Sequence, residues 1–153
     1  MNSATPELRA LAFDFGERRI GVASANTVTS TSSALGAVEA RSGEPDWRAL
    51  DALVTEWQPN VIIVGLPCHI DGSESTISAK ARAFGALLTD RYALPVTMVD
   101  ERLTSAQAAQ ELRELRRSGV RRRRVSKSDI DSLSAQLIAE SWLTGLKNDK
   151  TKD

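Results

Sequence analysis

Residues 8–24 read LRALAFDFGERRIGVAS. Two apolar stretches, over 8–15 and 20–25, are rich in strand formers. The polar GERR between them predicts a hairpin turn in which Gly16 is free to take a positive φ. Asp14 ends the first predicted strand. A carboxylate at the end of a buried strand is costly unless a hydrogen-bond network or a metal ion compensates its charge. The hairpin therefore sets two questions: what sheet it starts, and which groups partner Asp14.

Working outward, the segment over 34–38 predicts a short third strand after a Ser/Thr-rich connection. Gly43-Glu44-Pro45 punctuates the chain, with proline suited to the first turn of a helix. Trp47, Leu50, Val54 and Trp57 recur at helical spacing, and Pro59 ends that helix. VIIVG, over 61–65, is apolar without alternation, which predicts a strand covered on both faces as in a parallel sheet. A turn-rich loop, LPCHIDGSES, follows it. Ile77, Ala81, Phe84 and Leu88 predict the next helix, and a strand over 95–99 ends at Asp100-Glu101. T-x-x-Q at Thr104–Gln107 is a capping box for a further helix that Gly119 stops. A second box, S-x-x-D at Ser128–Asp131, opens a last helix carrying Ile130, Leu133, Leu137, Ile138 and Trp142. Three strands followed by strand–helix alternation predict an α/β domain with a mixed five-stranded sheet flanked by helices.

At 153 residues the chain is expected to form one domain over 1–153, with loose tails at 1–6 and 147–153. Its apolar and charged fractions, 41% and 26%, are those of an ordinary globular protein. No run is long and apolar enough for a membrane span. A single cysteine, Cys68, excludes an intrachain disulfide, and the N-terminus carries no signal-peptide pattern, so a cytoplasmic setting is expected. Twenty basic and 20 acidic residues cancel overall, but eight Lys/Arg against two Glu fall between Glu111 and Lys127. That cluster is an electrostatic footprint of the kind that nucleic acid binds.

Three carboxylates sit at the ends of predicted buried elements: Asp14, Glu101 and Asp131. Strand ends of parallel neighbours gather on one edge, where ligands commonly bind. Acids collected there repel one another, and divalent cations with oxygen ligands, Mg²⁺ or Mn²⁺, relieve that repulsion. Each acid also has a plainer role. Asp14 caps the hairpin in one reading, and Asp131 completes its capping box. Asp100 and Glu101 face opposite sides of the strand, so at most one enters a given site, and composition does not choose between them.

The segments FDFGERRIGVAS, IIVGLPCHIDGSES, VDERLTSAQA and SDIDSLSAQLIAESWL resemble, in order and spacing, the YqgF/RuvX family. Members are described as pre-16S rRNA nucleases and as Holliday junction resolvases. The resemblance covers nearly the whole chain and implies a ribonuclease H-like fold. It implies that Asp14, Glu101 and Asp131 are the catalytic acids and hold two ions, with Asp14 bridging. It also implies Glu101, not Asp100, as the metal ligand. Two positions depart from the family pattern: Arg18 stands where Lys is frequent, and His69 where Asn is frequent.

Other groups are expected to assist. Arg19 and Arg102 flank the acidic motifs and either contact phosphates or are solvated surface charges. Arg116 and Arg117 suit a helix C-terminus. Arg121, Arg122, Arg123 and Arg124 are adjacent like charges that repel without an anion, and nucleic-acid binding is the favoured role. His69 is read as a loop residue without catalytic duty, Cys68 as structural, and the three tryptophans as core. The expected activity is a divalent-metal-dependent nuclease on structured nucleic acid, with pre-rRNA favoured and branched DNA as the alternative, acting as a monomer or a homodimer. A nucleotide-binding phosphotransferase and a non-catalytic nucleic-acid-binding module are the competing readings.

Overall fold

The computed structural model describes residues 7–103 and 127–151, with Gln110, Glu114 and Arg117 from the segment between. Strand β1 (Arg9–Asp14) and strand β2 (Arg19–Asn26) form the expected hairpin, antiparallel, with Asp14 opposite Gly21. Gly16 does not have a positive φ. A Cβ there would lie 2.4 Å from the Arg19 carbonyl oxygen, so the turn needs glycine for closeness.

Strand β3 (Thr31–Arg41) is longer than its apolar segment predicts, because the Ser/Thr stretch pairs with the far half of β2. Strand β4 (Glu44–Pro45) pairs with the end of β3 and makes the sheet six-stranded rather than five-stranded. Pro45 is therefore in an edge strand, where its missing donor costs no ladder bond, rather than in the first turn of a helix. Asp46 caps the helix instead, accepting from the Arg48 and Ala49 amides at 3.2 and 3.4 Å.

Helix α1 (Trp47–Trp57) leads into strand β5 (Val61–Leu66), buried at every position and parallel to β1. Helix α2 (Thr76–Tyr92) follows, then strand β6 (Val96–Asp100), parallel to β5, and a single 3-10 turn, Glu101–Leu103. Helix α3 (Lys127–Thr151) closes the described chain. It already runs at Lys127, so Ser128 is inside it and Asp131 stands in its second turn rather than its first. It continues to Thr151 where a loose tail was expected. The strand order is β4-β3-β2-β1-β5-β6, which places β1 inside the sheet between an antiparallel and a parallel neighbour.

Alternation along β1 sends Leu11 and Phe13 to the face covered by α1 and α2, with Leu50, Phe84 and Leu88. Phe13 and Phe84 meet edge to face, centroids 5.8 Å apart. Ala10 and Ala12 go to the other face, against Ile138, Ala139, Trp142 and Leu143 of α3. The small side chains let this helix lie close on the sheet. Trp142 is core as expected and Trp47 is half-buried, with the Arg91 guanidinium 4.6 Å over its ring. Trp57 is exposed at the end of α1, contrary to the expectation of core packing. Among the described residues no helix is long and apolar enough to cross a membrane.

Candidate active site

The alternation that places Ala10 and Ala12 under α3 places Asp14 on the same face. Gly21, its partner across the hairpin, is covered by α3: a Cβ on Gly21 would lie 1.9 Å from the Asp131 carbonyl oxygen. Directly paired residues of neighbouring strands stand about 5 Å apart. The backbone of Asp131 is therefore above the strand position next to Asp14.

Glu101 reaches the same face from β6. Val99 belongs to the core under α3, so Asp100 points away and the chain turns at Glu101. A Cβ on Gly65 would lie 3.0 Å from Glu101 Oε2 and 2.4 Å from Ile138 Cδ1. Glu101 thus lies over β5 one strand from Asp14, in space that only glycine leaves. Gly21 and Gly65 are the positions that sequence reasoning passed over. Their signal was there, since glycine inside a strand marks the close approach of another group.

The helix is fixed at Asp131 by its neighbour. Between Gly21 and Ala23 the β2–β3 register shifts, so that Leu35 and Gly36 together oppose Val22. Such a bulge leaves ladder groups unpaired. The Ser132 hydroxyl takes both: it accepts from the Gly36 amide at 2.7 Å and donates to the Val22 carbonyl at 3.0 Å. Ser132 is 2% exposed. Nothing local in the sequence reveals this role, because it depends on a register shift more than 90 residues away.

Asp131 is paired. Arg19, which alternation also puts on the α3 face, donates Nε–H to Asp131 Oδ2 at 2.7 Å. Among the described residues no three His, Cys, Asp or Glu side chains stand close enough together to hold a metal ion as they are. The three acids share a face and an edge, and Arg19 provides the local counter-charge at one of them. Beside Arg19, a groove of about 590 Å³ runs between Arg18, Arg41, Glu39 and Glu44.

Arg102 also has internal partners. It grips Asp100 through Nε, 3.1 and 3.0 Å from the two carboxylate oxygens, and through Nη2 at 2.6 Å, while Nη1 donates to the Ile70 carbonyl at 3.2 Å. This clasp holds the Asp100 carboxyl below its ordinary range. Asp100 is thus committed to the loop and Glu101 to the α3 face. Burial pushes the Cys68 thiol up, with the Asp100 charge adding to it, so Cys68 is protonated and no nucleophile at neutral pH. His69 is exposed in the same loop and its amide donates to Ser73. Arg117 is helical and exposed. Arg113, Arg116, Arg121, Arg122, Arg123 and Arg124, and the first capping box, lie outside the described residues.

Residues 8–145 match the RuvX family, described as Holliday junction resolvase. The chain belongs to the RuvX family. It is 43% identical over 142 residues to a Coxiella burnetii protein named "Putative pre-16S rRNA nuclease", covering 93% of this chain and 96% of that one. A Marinobacter nauticus protein of the same name is 45% identical over 134 residues, covering 88% and 91%. These RuvX relatives are nucleases by name, and the chain is read with them as a hydrolase.

Two solved structures share the architecture. The yeast mitochondrial Holliday junction resolvase Ydc2 matches at a TM-score of 0.53 and 14% identity, over 98% of this chain and 85% of that one. Thermus thermophilus RuvC matches at 0.51 and 11%, over 90% and 96%. At these identities the likeness is one of fold, and the fold is the ribonuclease H-like one expected from the sequence.

Proposed function

We propose that this RuvX protein is a divalent-metal-dependent nuclease that processes the 5′ end of pre-16S rRNA in the cytoplasm. The observation that carries the reading is the gathering of Asp14, Glu101 and Asp131 on the α3 face at one edge of the sheet. The names of its relatives favour rRNA as substrate.

The donor set suits Mg²⁺ or Mn²⁺: every ligand is a hard carboxylate oxygen, at a strand edge where waters have access. Asp14, on a strand inside the sheet, would hold the metal together with Glu101 and Asp131. Two ions held there would supply an activated water and a counter-charge for the leaving 3′ oxygen. The chain's own groups do the rest. Gly21 and Gly65 keep the space, Ser132 fixes the helix that carries Asp131, and Arg19 balances the Asp131 charge until the site is loaded. Once released, Arg19 is placed to meet a phosphate beside the cut. Arg121–Arg124 are the natural grip on the flanking backbone.

A second reading, resolution of four-way DNA junctions, is favoured by the family's description. It requires a two-fold dimer to make paired cuts.

The test is cleavage with Mn²⁺ or Mg²⁺ of an RNA spanning the 5′ end of pre-16S rRNA and of a synthetic four-way DNA junction. Wild type and Asp14→Asn are compared, with a chelator control. RNA cutting that is lost in the variant supports the proposal. Cutting of the junction alone transfers it to the second reading. Equal cutting by the variant overturns the site.

A further inference from the structure

The loop after β5 carries an apolar side chain in full solvent. Ile70 is 97% exposed, the most exposed of the large apolar residues among those described. A lone surface isoleucine ordinarily needs no explanation. This one differs in how it is held and in where it stands.

The loop is fixed at every step around Ile70. The His69 amide donates to the Ser73 carbonyl, and the Gly72 amide donates back to the His69 carbonyl, both at 2.9 Å. Asp71 accepts from the Ser73 amide at 2.9 Å and from its hydroxyl at 2.6 Å. Cys68 and Glu74 form a bridge at the loop's base, and Ser78 of α2 donates to the Pro67 carbonyl. Gly72 has φ +92 and lies against the Arg102 guanidinium, where a Cβ would be 3.3 Å from Nη2. Arg102 then holds the Ile70 carbonyl itself. A chain bonded this way does not turn Ile70 inward, and it holds the side chain out at little further cost in entropy.

The place is the active edge. Arg102 follows Glu101 directly, so the carbonyl of Ile70 is one side chain away from a residue next to a candidate catalytic acid. A rigid, aliphatic projection beside a phosphodiester-cleaving site matches the wedges with which proteins part stacked bases.

We infer that Ile70 is a base-stack wedge: it inserts between two bases of a paired or branched nucleic acid next to the cut, and Arg102 holds the loop so that it does. The inference rests on the nuclease reading for its substrate, but its readout is independent of cutting. The ligand chemistry is a stacked base step, which a pre-rRNA stem and a DNA junction both offer.

The experiment uses the full chain in chelator, with 2-aminopurine at successive steps of an RNA stem and of a four-way DNA junction in separate arms. Wild type is expected to bind and to brighten the probe at one step, in whichever arm carries the substrate. Ile70→Ala is expected to bind about tenfold more weakly, the loss of one buried aliphatic side chain, and to leave the probe dark. Ile70→Phe is expected to restore the brightening. Ile70 makes no core contact, so these variants fold. Brightening retained in Ile70→Ala, or wild-type binding without brightening at any step, overturns the wedge while leaving the nuclease reading intact. Brightening by wild type without metal-dependent cutting leaves the wedge and overturns the nuclease. Wild-type binding to neither nucleic acid overturns both.

Discussion

Arg19 Nε lies 2.7 Å from Asp131 Oδ2, joining residues 112 positions apart. Arginine is here the resident counter-ion of an acid proposed above to hold metal. Arg19→Gln is expected to lower Tm in chelator by about 2–4 °C, the worth of a partly exposed pair at this chain length. With Mn²⁺ present the difference should close, because the metal then balances Asp131. Thermal unfolding with and without Mn²⁺ reads this directly. A Tm gap that Mn²⁺ leaves unchanged would show that arginine and metal do not compete for this acid.

Ser132→Ala should cost about 1–3 kcal/mol, because it orphans the part-buried Gly36 amide and removes a donor from the buried Val22 carbonyl. Denaturant unfolding measures it. Cleavage should fall further than stability accounts for, since the residue that anchors α3 is next to Asp131. Ser132→Thr, which keeps the hydroxyl, is the control that separates the hydrogen bonds from packing.

Gly21→Ala is expected to be worse than an ordinary strand substitution. Its methyl would stand 1.9 Å from the Asp131 carbonyl oxygen, so the helix has to lift. Overpacking of this kind costs about 1–3 kcal/mol. Cutting should be lost in protein that still folds, checked by circular dichroism beside the cleavage assay.

Away from the site, Asp51 accepts from Arg91 at 2.8 and 2.7 Å and from the Tyr92 hydroxyl at 2.6 Å. The Arg91 guanidinium first, and then Tyr92, hold the Asp51 carboxyl down from 3.8 to about 2. A depressed folded-state value means that the pair's contribution is complete above the ordinary carboxylate value and is lost as pH falls through the folded one. The stability difference between wild type and Asp51→Asn should be constant near neutral pH. It should shrink as pH drops below 3.8 and level off below about 2. Denaturant titrations across that range test it.

Much of the fold was legible. The unbroken run VIIVG declared a strand covered on both faces, and β5 is buried at all of its positions. The periodicity of Trp47, Leu50 and Val54 marked α1, although Trp57 at its end escapes the core. β4 was illegible because it is a two-residue edge strand created by the β3 register, with no pattern of its own. Gly16 was read for conformational freedom when the return of the chain to Arg19 was what demanded it. At the candidate site, the rule that strand ends gather covers Asp14 and the end of β6, but not Asp131, which a helix carries. The groups that hold the acids there come from distant segments: Ser132 through a bulge in β2 and β3, Arg19 through the far end of the chain. Such partners exist only after folding, and no local spacing announces them.

Helix α3 packs against β1, β2 and β3, and it also brings Asp131, the last of the three acids, to the face where Asp14 waits from the start of the chain. The order has a consequence for synthesis. Strands and helices up to β6 can leave the ribosome with Asp14 and Glu101 in place, but the third acid arrives only when the closing helix emerges and Ser132 locks onto the bulge. On the proposed reading, a chain interrupted before α3 lacks Asp131 and the Ser132 lock together, so the site is assembled only once that helix has docked.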